Sequence, residues 1–392
     1  MLLYYLLFFL TVFFFFSISD MPDEDQRQQM NKAFLLGSMI VLALFVGCSD
    51  MLGGYDRYIY CDLFDGAAND ISKKLPLATA YVFQEYPKEQ GYGWYNILVG
   101  LITTNRYIFI LITTIIVYIF LFQSIKAYCE NYPFAVMLFL ALWFFFTFTY
   151  LRQVMGATIA WLGIRYIIKR SLWRFLIVWF IAFKFHNSAL VLLPMYFVPV
   201  RKFTGKHVLY VMIALFLLGL TGGPTALFSA YGEVDAERAG VAGNVSGFRI
   251  AYLVEAVFFL YLILGRYDEI PETPKHIVML NMSLVFCGVL LFFVKNENGG
   301  RLSWYYMIGV ISTVSYLSTY TKKNIQQAFL MIIVSFFLFN RILTGWSIQL
   351  YPYKTFFSNG IRPGDPIEQK FEYDHSYDYD KFYRPAFRFM ER

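Results

Sequence analysis

The chain has 392 residues, of which 58% are hydrophobic, 21% aromatic and only 15% charged, with a mean hydropathy of +0.51 and a formal net charge of +6. A water-soluble domain of this length needs far more charge to cover its surface, so the composition selects the bilayer as solvent. The basic residues fall in short clusters between apolar runs, which is a topology signal and not the footprint of a nucleic-acid binder.

A hydrocarbon core takes about 20 apolar residues per helix. Apolar windows predict an all-α, polytopic bundle of about twelve helices, over 2–19, 33–49, 105–124, 133–150, 153–168, 173–185, 187–200, 207–220, 250–265, 276–294, 303–320 and 325–343. The first run lacks a basic flank and a small-residue cleavage site and is expected to stay as the first helix. The pair 173–185 and 187–200 is short and is expected to tilt or to mismatch the bilayer. A long loop (50–104), a Gly-rich loop (221–249) and a tail (346–392) separate or follow the spans. Residues 1–345 thus form one transmembrane unit, and the tail, with E-Y-D-H-S-Y-D-Y-D-K-F-Y-R over Glu372–Arg384, is expected to sit in water. Cys48, Cys61, Cys129 and Cys287 are scattered without metal-ligand spacing, so free thiols and no metal site are expected. No repeat of solenoid length is present.

Lysine and arginine in short loops set the orientation. With the N-terminus outside, thirteen fall inside (Arg27, Lys32, Lys126, Lys169, Arg170, Arg174, Arg201, Lys202, Lys206, Arg266, Lys275, Lys322, Lys323) against six outside (Arg152, Lys184, Arg238, Arg249, Lys295, Arg301). In this frame loop 50–104, Arg152, His186, Arg249 and Arg301 share the outer face. Charges at the ends of apolar helices are costly unless they face water or one another, which suggests one outward-facing cavity.

Five stretches supply its chemistry. In G-G-Y-D-R-Y-I-Y-C-D-L-F (Gly53–Phe64), two glycines permit a sharp turn before Asp56, and Tyr60 shares its helical face; the plainer reading of Asp56 is a helix N-cap. In Y-P-K-E-Q-G-Y-G-W-Y-N-I-L (Tyr86–Leu98), Glu89 precedes an interfacial or re-entrant helix expected over 92–104, with Trp94 and Tyr95 at headgroup depth; taken alone, Glu89 is a solvated loop charge. In T-Y-L-R-Q-V-M-G-A-T-I-A-W (Thr149–Trp161), Arg152 opens a span beside Gln153, either as a fork for phosphate or as a side chain snorkelling to headgroups. F-K-F-H-N-S-A-L-V-L-L-P (Phe183–Pro194) puts His186 at an outer turn, with Asn187 and Ser188 as caps of the next helix and Lys184 free to snorkel. K-N-E-N-G-G-R-L-S-W-Y-Y (Lys295–Tyr306) sets Arg301 before an aromatic belt. Arg249 and Glu255 open another span, too far apart along one helix face to pair, so the intramembrane Glu255 needs a partner elsewhere.

In combination and order these motifs, G-x-D-x-x-x-Y, E-x-G-Y, L-R-Q, F-H-N-S-A-L-V and R-L-S-W-Y-Y, resemble the EpsG family over roughly residues 30–345. The family comprises Wzy-type polymerases of bacterial exopolysaccharide, capsule or O-antigen. The resemblance implies a multi-pass protein of the bacterial inner membrane, similar to GT-C-type glycosyltransferases, that joins undecaprenyl-diphosphate-linked repeat units at the outer face. It implies no cofactor, a lipid-linked donor in place of a nucleotide sugar, and partners that include a flippase and a chain-length regulator. On this reading Asp56, Glu89 and His186 are the catalytic candidates, Asp56 as base and His186 beside the leaving group. Arg152, Arg301 and Arg249 would meet the departing diphosphate, next to Gln153, and Tyr60, Trp94 and Tyr305 would line the sugar path. Relatives carry an arginine just before G-x-D; here the chain reads C-S-D-M-L at 48–52, which leaves Arg57 or Arg106 to take its place. An O-antigen ligase, which differs in acceptor alone, and a flippase or anion transporter, which should show polar groups at mid-membrane, are the rival readings.

Overall fold

The structure, a computed structural model, describes residues 1–221, 223–224, 247–296, 298–319, 325–358 and 371–390. The Gly-rich loop over 225–246, Lys322, Lys323 and residues 359–370 lie outside the described residues. Among those described, every regular element is helical, and the only strand-like feature is the isolated bridge between Ser49 and Thr355. The principal helices are α1 (Leu2–Ser19), α2 (Glu24–Gly47), α3 (Tyr55–Ser72), α4 (Gln90–Gly100), α5 (Arg106–Tyr128), α6 (Tyr132–Leu142), α7 (Leu151–Ile168), α8 (Leu172–Phe185), α9 (Gly205–Leu220), α10 (Ile250–Gly265), α11 (Pro274–Phe292), α12 (Met307–Leu317) and α13 (Ile325–Gly345).

Five of them are long and apolar enough to cross a membrane: α1, α2, α5, α11 and α13 from Ala328. Shorter apolar helices occupy Tyr132–Leu142, Asn187–Phe197, Gly205–Leu220 and Ile250–Gly265. The span expected over 187–200 is a 3₁₀ helix, Asn187–Phe197, with Pro194 inside it. Proline has no N–H to give an α-helical ladder, and the tighter 3₁₀ winding rises about 2 Å per residue. It folds back on α8, with Trp179 Nε1 donating to the Ala189 carbonyl at 2.9 Å. The helix expected over 92–104 is α4, which starts two residues earlier and stops at Gly100.

Packing is built from neighbouring pairs, α2 on α5, α7 on α8, α11 on α12, α1 and α13 on α6, and α3 on α4. The outward faces of α1 and α9, with Phe13, Leu209 and Leu217 exposed, are apolar as lipid-facing surfaces must be. All four cysteines are free thiols.

The tail does not sit free in water. Residues 371–390 dock on the layer formed by α3, α4 and the start of α5. Arg106, fully buried, donates to Asp65 at 2.8 Å and to Glu372 at 2.5 Å, with the rings of Tyr373 and Tyr377 stacked against its guanidinium at 4.5 and 4.1 Å. Asn105 Nδ2 donates to the carbonyls of Lys381 and Arg384 at 2.8 Å each, and Lys381 lies 3.5 Å from the buried Asp50. The charges and tyrosines that read as water-facing therefore pair with charges that loop 50–104 and α5 would otherwise bury alone, a costly state.

Candidate functional site

The turn into α3 depends on Gly53 and Gly54, whose φ angles are +114° and +96°. A Cβ at Gly53 would also meet the Phe148 backbone oxygen at 2.8 Å, so only glycine fits there. The N-cap position falls on Gly54 and not on Asp56, which lies in the first turn of α3. There the helix dipole favours its carboxylate. One turn on, the buried Tyr60 follows it into the same cavity wall.

Glu89 and Arg152 meet across 63 residues of sequence. Both are buried, at 3% and 5% exposure, and form an ion pair through Glu89 Oε2 and Arg152 Nη1. The other oxygen, Oε1, accepts the Asn187 backbone N–H at 2.9 Å, and the Tyr86 ring lies 3.9 Å from the Arg152 guanidinium. Glu89 is thus no solvated loop charge and Arg152 no snorkelling side chain. One carboxylate joins the Tyr86–Glu89 loop, the start of α7 and the turn at His186. Gln153, next on α7, donates to the Arg301 carbonyl at 3.1 Å and reaches Ser188 Oγ at 3.4 Å.

His186 closes α8 through its N–H to the Ala182 carbonyl, in extended backbone conformation. It also caps the following 3₁₀ helix: its Nδ1 accepts the Ser188 N–H at 3.2 Å and lies 2.6 Å from Ser188 Oγ. The capping role expected of Asn187 and Ser188 therefore belongs to the histidine, because its ring reaches back over the turn. A backbone N–H only donates, so Nδ1 is an acceptor and Nε2 carries the proton of the neutral ring. Tyr305 OH lies 3.0 Å from Ser188 Oγ and extends this chain. The close approach of His186 to α7 requires Gly156, where a Cβ would lie 3.1 Å from the histidine Cβ.

On the far wall Arg301 donates to Tyr150 OH at 3.0 Å and covers its ring at 4.3 Å. Arg249 stands at the N-cap of α10, its N–H on the Val294 carbonyl at 2.8 Å.

One open cavity of about 1250 Å³ brings together Asp56, Tyr60, Arg152, Gln153, His186, Arg249 and Arg301. Three candidates fall elsewhere. Glu89 stands behind the wall, held by Arg152. Tyr305 is fully buried beneath Ser188. Trp94 is 48% exposed on α4 and packs edge-on against Phe83, away from the cavity, because its position on α4 points it outward. Neither proposed substitute for the missing arginine reaches the cavity. Arg57 is buried and donates to Ser49 Oγ, the Leu52 carbonyl and the Val46 carbonyl at the end of α2, and Arg106 is held by Asp65 and Glu372.

Two residues that the motifs did not supply complete the charge pattern. Glu255 lines the cavity from α10, and Arg341 of α13 is the cation acting on it. An arginine within an apolar span was the available signal. Four arginines and two carboxylates thus line the wall, which favours an anionic ligand. No three His, Cys, Asp or Glu side chains group into a metal site among the described residues.

No curated protein and no solved structure matches the chain. The profile of the EpsG family matches residues 32–355, a span that contains the whole cavity and stops short of the docked tail. With apolar helices long enough to cross a bilayer and this match over most of its length, the chain is a membrane protein that belongs to the EpsG family.

Proposed function

We propose that the protein polymerises oligosaccharide repeat units carried on undecaprenyl diphosphate, at the outer face of the bacterial inner membrane, into exopolysaccharide, capsule or O-antigen. Family membership points to polysaccharide synthesis. The observation that carries the reaction class is Arg152: its Nη1 holds Glu89, while its Nε is buried with no hydrogen-bond partner in the protein, on the wall of a cavity with excess arginine. A buried donor without a partner costs about 1–3 kcal/mol, and a phosphoryl oxygen in the cavity would relieve it.

In the proposed reaction an acceptor hydroxyl attacks the anomeric carbon of the donor chain. The bond from that carbon to the phosphate oxygen breaks, and undecaprenyl diphosphate leaves. Arg152, Arg301 and Arg249 neutralise the charge that develops on the diphosphate. Asp56 takes the hydroxyl proton. His186, with Nδ1 engaged by Ser188, offers Nε2–H to the departing oxygen, while Gln153 fixes the Arg301 turn and Tyr60 borders the sugar path. Glu89 serves this reading as a clamp, since both of its oxygens are engaged. The chemistry is that of GT-C-type enzymes on lipid-linked donors. Gel analysis of surface glycan from a deletion strain tests it: single repeats on lipid with no polymer ladder are expected. Complete loss of extracellular glycan would indicate a flippase instead.

A further inference from the structure

The cavity is open on one side. α10 is packed on α11 and α12, whereas α13 is packed on α6 and, through Phe336 and Phe339, on Tyr5 and Phe8 of α1. The two helices make no comparable contact with each other, yet both supply cavity wall: Ala251 and Glu255 from α10, Leu338, Arg341 and Ile342 from α13. Between them lies a slot. On either side of it the helices turn apolar residues outward, Val254 and Val257 on one and Phe337 on the other. Arg341 is exposed at its rim, with Glu255 half-buried and within its electrostatic reach.

We propose that this slot is a lateral portal: the polyisoprenoid tail of a diphosphate lipid lies in it, in contact with the bilayer, while the headgroup and glycan occupy the cavity. The proposal rests on the reading above. A long hydrocarbon chain does not leave the bilayer for a polar chamber, so a cavity serving such a substrate must open sideways at the level of the lipid tails. Helices in a membrane have no hydrophobic drive to close on each other. A gap walled by Leu338 and Ile342 is therefore stable when a lipid chain fills it. The ionisable pair at its edge supplies selectivity. Without ligand, Arg341 compensates Glu255. A diphosphate passing the rim competes for Arg341 and then meets Arg249 and Arg301 on the wall beyond. A neutral isoprenyl alcohol offers no such exchange.

Photo-crosslinking of the full chain in nanodiscs tests this. A benzophenone side chain replaces Ala251 or Leu338 at the slot, Leu190 in the cavity, or Ile119 or Leu209 on exposed apolar faces elsewhere, and radiolabelled undecaprenyl diphosphate is the probe. Both slot positions should capture the probe several-fold above Ile119 and Leu209, and Arg341→Gln should lower that capture toward the level of the controls. Having a position on each helix guards against one variant failing to fold. Equal capture at all positions would mean ordinary lipid contact and would overturn the portal. Capture at Leu190 without capture at the slot would overturn the portal while leaving the lipid-diphosphate reading intact. Capture above the controls at none of the cavity or slot positions would overturn both.

Discussion

Removing Glu89 should show that it acts as a clamp. In Glu89→Ala the Arg152 guanidinium stays buried without its counter-charge, which typically costs about 3–5 kcal/mol. The Asn187 N–H also loses the acceptor it reaches at 2.9 Å, at a further cost of about 1–3 kcal/mol if water does not replace it. Arg152→Ala leaves Glu89 buried and unpaired and should be similarly destabilising. The double variant removes both charges, so its loss should fall well short of the sum, with a coupling of about 1–3 kcal/mol. Glu89→Gln keeps an acceptor for Asn187 and should lie between wild type and Glu89→Ala. The assay is thermal unfolding of detergent-solubilised protein followed by tryptophan fluorescence, with polymer formation from lipid-linked repeats measured in parallel at equal protein. Additive losses in the double variant would refute the buried pair. Near-wild-type stability in Glu89→Gln together with activity as low as in Asp56→Asn would refute the clamp, since it would make Glu89 the proton acceptor.

Other outcomes follow from the same geometry. Arg152→Lys should recover part of the polymer yield that Arg152→Ala loses, a loss of about 10²–10³, because a point charge cannot hold Glu89 and face the cavity with a second donor; full activity of the lysine variant would argue against the fork. His186→Asn should retain the cap on Ser188, whereas His186→Ala should cost about 0.5–2 kcal/mol of stability; equal turnover in both, at wild-type level, would make the outer turn architecture alone. Glu372→Ala should destabilise the protein by about 3–5 kcal/mol through Arg106, and an unchanged unfolding midpoint would show that the tail does not dock. Thiol labelling of intact cells should reach Lys73→Cys and not Lys169→Cys; the reverse would invert the orientation.

Composition and motif order carried much of this protein. Membrane residence follows from too little charge to cover a soluble surface, and that is a property of the chain whatever its fold. The Gly53–Gly54 turn and the shared face of Asp56 and Tyr60 are local, within reach of helix geometry. The cavity's membership was legible because charged residues at the ends of apolar helices have few places to go. What only the tertiary structure decided are pairings across long stretches of chain: Glu89 with Arg152, Arg106 with Asp65 and Glu372, Glu255 with Arg341. A loop glutamate and a tail glutamate look alike in sequence, because the cost of burying either appears only once a partner 63 or 266 residues away is brought to it. The 3₁₀ form of Asn187–Phe197 escaped for a related reason: hydropathy registers apolar length, while the winding is set by Pro194, by the histidine that caps it and by the helix it packs on.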